Sequence, residues 1–190
     1  MRSLILASAS PRRRELLLQA GFAFEVRVTG VDETALEGED AVALAVRLAR
    51  GKAEAVASGA DEVVVLGADT VVVAPTGELL GKPVDDRDAA RMLQLLAGAT
   101  HQVVTGVCVC GGRRSEIAAA LTWVTFNTLS GEEIAAYVAT GEPLGKAGAY
   151  AIQGCGARFI PRIHGDYTNV VGLPLALVAT MLAGAGVFPS

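Results

Sequence analysis

The sequence predicts an α/β fold: a mixed β-sheet with flanking helices and an active cleft. Three observations carry this. Continuous apolar runs such as Val63-Val64-Val65-Leu66 have the makeup of strands covered on both faces. Between such runs lie stretches whose apolar residues recur every three or four positions, the period of a half-buried helix. The 190 residues, 52% of them apolar, are also enough for a sizeable core without disulfides, which excludes both a disordered chain and a stapled miniprotein.

The elements follow in chain order. Residues 4–7 form a short apolar run ending in small side chains; Pro11 then opens a stretch in which Leu16, Leu17 and Ala20 have helical spacing, stopped by Gly21. Phe22, Phe24, Val26 and Val28 alternate as in a half-buried strand. After the acidic loop 31–40, Asp40 is placed to cap an Ala-rich helix from 41 to about 57, with Leu44, Ala45, Leu48, Lys52, Ala55 and Val56 near one stripe. The run 63–66 is the next strand. Apolar pieces at 71–73 and 79–80 flank Pro75-Thr76-Gly77, which predicts a hairpin. Asp85 or Asp86 caps a helix carrying Ala89, Met92, Leu93 and Leu96, and Gly98 ends it. Runs 103–110 and 117–126 on either side of Gly111-Gly112-Arg113-Arg114 predict an antiparallel pair. Ser130 with Glu133 has the form of a capping box, and Ile134, Tyr137 and Val138 give that helix its inner face. The Gly-rich stretch 141–156 has no clear period. Residues 170–188 carry no charge, about the length of a membrane span, but Gly172, Pro174, Gly184 and Gly186 interrupt them and basic flanks are missing. They read as core, with a buried helix from about 175 to 182. With no internal repeat, 1–190 reads as a single domain.

Composition narrows the function. Sixteen basic against 20 acidic side chains give a net charge of −4, which argues against a sequence-independent nucleic-acid binder. Three cysteines without zinc-type spacing read as reduced, partly buried thiols of a cytoplasmic protein, and the N-terminal apolar run is too short for a signal peptide. No membrane association is expected. Only three of the basic residues are lysines: Lys52, Lys82 and Lys146.

The residues able to carry chemistry fall in a few places. In Ser8-Ala9-Ser10-Pro11-Arg12-Arg13-Arg14 a strand hands over to a helix, with Ser10 suited to the cap and Pro11 to the first turn. Free amides, the positive end of the helix dipole and arginine forks can hold a phosphate there, and three arginines against the dipole favour a bound anion. An ordinary capped helix with solvated arginines is the other reading. Asp69, in Gly67-Ala68-Asp69-Thr70, is expected to emerge at the end of the buried strand. There it either takes a proton from water and shares a divalent ion with Glu33 of the acidic loop, or serves as a turn or cap aspartate. Lys52 and Lys82 offer compact charges for a polyphosphate, or else snorkel and solvate. Lys146 binds phosphate or caps its loop. Gln153 presents the donor and acceptor needed to read a nucleobase edge, a pairing that buried loop glutamines also spend on backbone. No Walker-type or dinucleotide-binding glycine motif occurs. His101 and His164 read as structural, Trp123 as a packing residue, and Cys108 and Cys110 as core.

Taken together these segments resemble the Maf family of nucleoside triphosphate pyrophosphatases. The resemblance rests on Leu6-Ala7-Ser8-Ala9-Ser10-Pro11-Arg12-Arg13, Val31-Asp32-Glu33, Arg47-Leu48-Ala49-Arg50 with Lys52-Ala53, Gly67-Ala68-Asp69-Thr70 and Gly81-Lys82-Pro83. It continues through Gly141-Glu142-Pro143, Lys146-Ala147-Gly148-Ala149-Tyr150, Gln153-Gly154 and Gly165-Asp166-Tyr167 with Asn169. It implies a two-lobed mixed β-sheet with flanking helices and a central cleft, like that of inosine triphosphate pyrophosphatases, together with a divalent metal (Mg, Mn or Co), a homodimer, and hydrolysis of NTP to NMP and pyrophosphate. Arg12, Thr70 and Gln153 fit the branch acting on dTTP and UTP, with CTP or modified pyrimidine nucleotides as further substrates. The site it implies has Asp69, Lys52 and Lys82 as catalytic residues and Glu33 and Asp69 as metal ligands. Substrate would be held by Ser8, Ser10, Arg12, Arg13, Thr70, Lys146 and Gln153. Gly51, where relatives often carry a charged residue, softens its helix slightly. The alternatives are a nucleotide-binding regulator of cell division that does not hydrolyse its ligand, and the same chemistry on inosine or xanthosine triphosphates.

Overall fold

The computed structural model describes residues 2–57, 62–112 and 114–189; Arg113, at the expected turn, lies outside them. In chain order the elements are β1 (Ser3–Leu6), α1 (Pro11–Gln19), β2 (Glu25–Val26), α2 (Ala41–Val56), β3 (Val63–Val73), β4 (Leu79–Leu80) and α3 (Asp86–Leu96). They continue with β5 (Thr100–Gly111), β6 (Arg114–Thr125), α4 (Gly131–Val138), β7 (Arg162–His164), α5 (Tyr167–Val171) and α6 (Leu175–Gly184). The strands form a mixed open sheet in the order β2-β1-β3-β5-β6-β7, with β4 on β3. The chain divides into two compact units, one of Met1–Asp69, Thr105–Ala120 and Gly172–Ser190, the other of Thr70–Val104 and Leu121–Val171.

In the first unit β1 runs parallel to both neighbours, pairing Ile5 with Glu25 of β2 and Ser3 through Leu6 with Val63 through Leu66 of β3. Ser10 caps α1 and Asp40 caps α2, the latter accepting from the Ala43 amide at 2.8 Å. The buried face of α2 is Leu44, Ala45, Leu48, Ala49, Lys52 and Ala53. Two strand glycines explain why small residues lie there. A Cβ at Gly67 in β3 would stand 2.2 Å from the Ala49 carbonyl oxygen, and one at Gly106 in β5 would stand 2.3 Å from that of Ala45. The helix backbone thus rests directly on the sheet, over a cluster of Ile5, Ala7, Val65, Cys108 and Cys110.

In the second unit β4 turns back on β3 through Gly77, whose φ of +88° suits glycine, and pairs Leu80 with Val72. Asp85 caps α3, and the Ser130–Glu133 capping box at α4 is complete. Met92, Leu93 and Leu96 of α3 meet Tyr137 of α4, Phe126, Tyr150 and Phe159 in one core. His101 is buried there, its Nε2 2.9 Å from the Tyr150 hydroxyl and its ring edge-on to Phe126. Burial pushes its pKa down to about 4.

Several expectations are corrected. The strand expected to stop at Leu66 continues to Val73, so Asp69 lies inside β3 rather than at its end. Gly67-Ala68 has the composition of a turn, but here small size serves the approach of α2. The alternation at 22–28 yields only a two-residue edge strand; Phe22 is buried, whereas Val28 is exposed. Ala55 faces solvent, because the inner stripe of α2 follows the Ala45-Ala49-Ala53 ridge instead. Trp123 is partly exposed on β6, its ring 6.0 Å from that of His164. The uncharged C-terminal stretch holds the ten-residue α6, and among the described residues no helix is long and apolar enough to cross a membrane.

Candidate active site

The first unit brings together three of the predicted chemical groups. Lys52 Nζ donates to Asp69 Oδ1 at 2.6 Å and to Glu33 Oε1 at 2.5 Å, with Lys52 and Asp69 buried and Glu33 partly exposed. Lys52 is delivered by α2 and Asp69 by β3, and the glycine-mediated contact between these elements brings the ammonium within reach. Glu33 comes from the acidic loop, which is tied down on both sides. Asp32 Oδ1 accepts from the Thr34 amide and hydroxyl at 2.9 and 2.7 Å. Arg47 of α2 reaches across to grip Glu39 in a two-pronged pair at 2.7 Å per bond and donates to the Thr34 carbonyl at 2.9 Å. That bond from Arg47 holds the Glu39 carboxyl down to about 2. Gly51 lies beside this loop, where a Cβ would make an ordinary contact with Val31 Cγ1 at 3.4 Å.

Beside the triad is the turn into α1. Ser8 is buried, and its Oγ accepts from the Ser10 amide and from Arg13 Nη1, each at 3.2 Å. Arg13 points inward. Its Nε donates to the Gly172 carbonyl at 2.7 Å and its Nη1 also to the Ala68 carbonyl at 2.9 Å, so one guanidinium joins the α1 turn, β3 and the segment before α6. Burial lowers its pKa, opposed by Asp69 and Glu33, whose charges it feels. Arg12 is half-buried, and burial lowers its pKa too. The sequence offered Arg13 either to a phosphate or to solvent; its grip on two backbone carbonyls and the Ser8 hydroxyl had no local signal.

The other predicted residues belong to the second unit. Thr70 follows Asp69 in β3, half-buried, while Lys82 and Gln153 are exposed and Lys146 is half-buried. The two lysine-bearing loops are joined by the Gly148 amide, which donates to the Gly81 carbonyl at 3.1 Å. Gly148, at φ +71°, packs on Val72, and the next residue, Ala149, adopts φ +60°, a conformation an alanine takes only at a cost of about 1 kcal/mol. Lys146 Nζ donates to the Glu142 carbonyl. Asp166 and Asn169, in the last of the segments that carry the resemblance, hold structure: Asp166 Oδ1 accepts from the Thr168 amide and hydroxyl, and Asn169 Nδ2 donates to the Val103 carbonyl and Thr122 hydroxyl at 3.0 Å.

Among the described residues no group of three or more His, Cys, Asp or Glu side chains is arranged to hold a metal ion. Two carboxylates already sharing one cation is nevertheless a donor set suited to Mg²⁺, which is commonly held by one or two carboxylates and completed by substrate phosphates and water.

Comparison with known proteins decides the family. The model for "Maf-like protein" matches residues 3–185. The chain belongs to the Maf family. The dTTP/UTP pyrophosphatase of Koribacter versatilis is 53% identical over 184 residues, covering 97% of this Maf chain and 95% of the relative. The protein of the same name from Escherichia coli O157:H7 is 52% identical, covering 96% and 93%. Among solved structures, a HAM1 protein from Coxiella burnetii aligns with a TM-score of 0.51 at 14% identity, over 97% of this chain and all of that one. Staphylococcus aureus Ham1 gives 0.50 at 13%, over 96% and 99%. At these identities the two structures establish a shared fold, as the resemblance implied.

Proposed function

We propose that this Maf chain, acting as one domain over 1–190, hydrolyses dTTP and UTP to the monophosphate and pyrophosphate. CTP or modified pyrimidine nucleotides are further candidate substrates. The observation that carries the reading is the convergence of Asp69 and Glu33 on Lys52 Nζ, in a chain whose half-identical relatives are named dTTP/UTP pyrophosphatases.

In this reading the triphosphate docks against the Ser8-to-Arg13 turn. Ser8, Ser10 and Arg12 offer donors, while Arg13 fixes Ser8 and adds positive charge beneath it. Asp69 takes a proton from water; the water oxygen bonds to the α-phosphorus, and the bond to the α–β bridging oxygen breaks, so pyrophosphate leaves. Lys52 orients the Asp69 carboxylate and, with Lys82, offsets negative charge that builds on the phosphoryl and leaving oxygens. Glu33 and Asp69 are the residues to hold a divalent cation (Mg, Mn or Co), which when bound supplies charge neutralisation at the phosphates. Lys146 adds charge on the phosphate side, and Arg12, Thr70 and Gln153 select the pyrimidine, whose carbonyl and N3–H edge matches an amide side chain. The same reading makes the enzyme a cytoplasmic homodimer.

The test is pyrophosphate release across all common and several modified nucleoside triphosphates, with each metal and with chelator. Release from dTTP and UTP that stops on chelation is expected. Tight nucleotide binding with no product would replace the enzyme by a nucleotide-binding regulator, and release mainly from inosine triphosphate would overturn the pyrimidine assignment.

A further inference from the structure

The least patterned part of the sequence, 141–156, is held together by one carboxylate. Glu142 Oε1 accepts from the Tyr137 hydroxyl at 2.6 Å and from the Gly156 amide at 3.0 Å, and Oε2 accepts from the Cys155 amide at 2.9 Å. The Tyr137 hydroxyl in turn accepts from the Ala151 amide at 3.1 Å. Gly154 is pressed against this carboxylate so closely that a Cβ there would lie 2.3 Å from Oε2. Between these fixed points sits Gln153, exposed. Backbone amides on both sides of it, at 151, 155 and 156, are therefore tied to the Tyr137–Glu142 pair, and Tyr137 is itself fully buried against Phe159 at the C-terminal end of α4. The backbone carbonyl of Glu142 also accepts from Lys146 Nζ. Burial alone would raise the Glu142 carboxyl, but the bonds from Tyr137, Cys155 and Gly156 and the charge of Lys146 outweigh it and hold the group below its ordinary value.

We infer that Glu142, backed by Tyr137, is a positioning residue for base selection, fixing the turn from which Gln153 presents its amide. This rests on the reading of Gln153 as a base-selecting residue. The physical reason is entropic and geometric. An exposed glutamine on a loose turn spends binding free energy on its own ordering, whereas one on a turn whose amides are already anchored spends less. A carboxylate accepts all three bonds at once; a glutamine at 142 replaces one acceptor oxygen with a donor and must release at least one of these partners.

The test uses Glu142→Gln and, as a milder variant, Tyr137→Phe, which deletes only the hydroxyl between Glu142 and the Ala151 amide. Hydrogen exchange should show faster exchange at the Cys155 and Gly156 amides in Glu142→Gln. The ratio of kcat/KM for UTP to that for a purine triphosphate should fall roughly tenfold, with the loss mainly in KM for UTP. Tyr137→Phe should move the ratio in the same direction by less. In a Gln153→Ala background, Glu142→Gln should leave the ratio where Gln153→Ala alone put it. A ratio unchanged by both variants, or lowered as much in the Gln153→Ala background as in wild type, overturns the inference and leaves Glu142 a merely structural residue. If Gln153→Ala alone keeps the wild-type ratio, the base-reading role of Gln153 falls, and the inference about selection falls with it. That failure is distinct from failure of the clamp, which amide exchange reads without any substrate.

Discussion

Lys52 shows how much one side chain can be asked to do. A buried ammonium is tolerated only when paired, and here it is paired twice, holding two carboxylates that would otherwise repel. Asp69 carries the reaction in the proposed mechanism, and its substitution separates chemistry from structure. Asp69→Asn keeps an oxygen that can accept from Lys52 Nζ but removes the basic carboxylate, so turnover of UTP should fall by at least about a hundredfold while the melting temperature moves little. Steady-state kinetics beside a thermal melt measures both. Near-wild-type turnover would remove Asp69 as the base. Arg13 teaches a related point, since a residue in an anion-binding motif can spend its donors on carbonyls and contribute charge from below.

At the scale of elements, the site exists because α2 lies on β3 and β5 without side chains in between. Gly67 and Gly106 are therefore part of the machinery although neither touches a reacting group. Gly67→Ala places a methyl group against helix backbone that has no rotamer to move, so α2 must lift and carry Lys52 away from Asp69. The expected loss is about 1–3 kcal/mol or more of stability, accompanied by loss of activity. Gly131→Ala, at a position with nothing within 4 Å, is the control and should be close to neutral. Urea titration of the two variants checks this, and equal stability of both would show that the helix–sheet contact is not tight. The acidic loop depends on elements in the same way, because Arg47 on α2 anchors the segment that carries Glu33.

For the molecule as a whole, the pH dependence of unfolding should report the buried His101. Its folded pKa of about 4 lies below the ordinary 6.5, so between those values the unfolded chain takes up a proton that the folded chain refuses. Stability is therefore complete above about pH 6.5 and declines as the pH falls toward 4, by on the order of 3 kcal/mol in all. Glu142, whose carboxyl is lowered, also loses its contribution on acidification, but below the ordinary carboxylate range. Comparing wild type with His101→Gln in urea titrations at pH 7 and pH 4.5 isolates the histidine. The variant should be less pH-sensitive across that interval, and identical slopes would mean that His101 is protonated in the fold.

The sequence by itself determined the α/β class, the turn chemistry and most of the helices, because caps, periodicity and glycine punctuation are local signals. Ser10, Asp40, Asp85 and the Ser130–Glu133 box all act where their types and spacings indicated. It also singled out Asp69 with Glu33 as a carboxylate pair, and Lys52 by itself, before their order was matched to a family. What the tertiary structure decided was convergence. Whether Asp69 ended a strand or continued it depended on a helix arriving from elsewhere in the chain to use the space beside Gly67. Whether Arg13 faced a ligand or the interior depended on the carbonyls of Ala68 and Gly172. Glu142 had no periodic context at all, since its partners at 137, 155 and 156 meet only when a loop closes on a buried tyrosine. Local propensity is written in neighbouring residues; the pairing of charges and amides across long separations is set by packing.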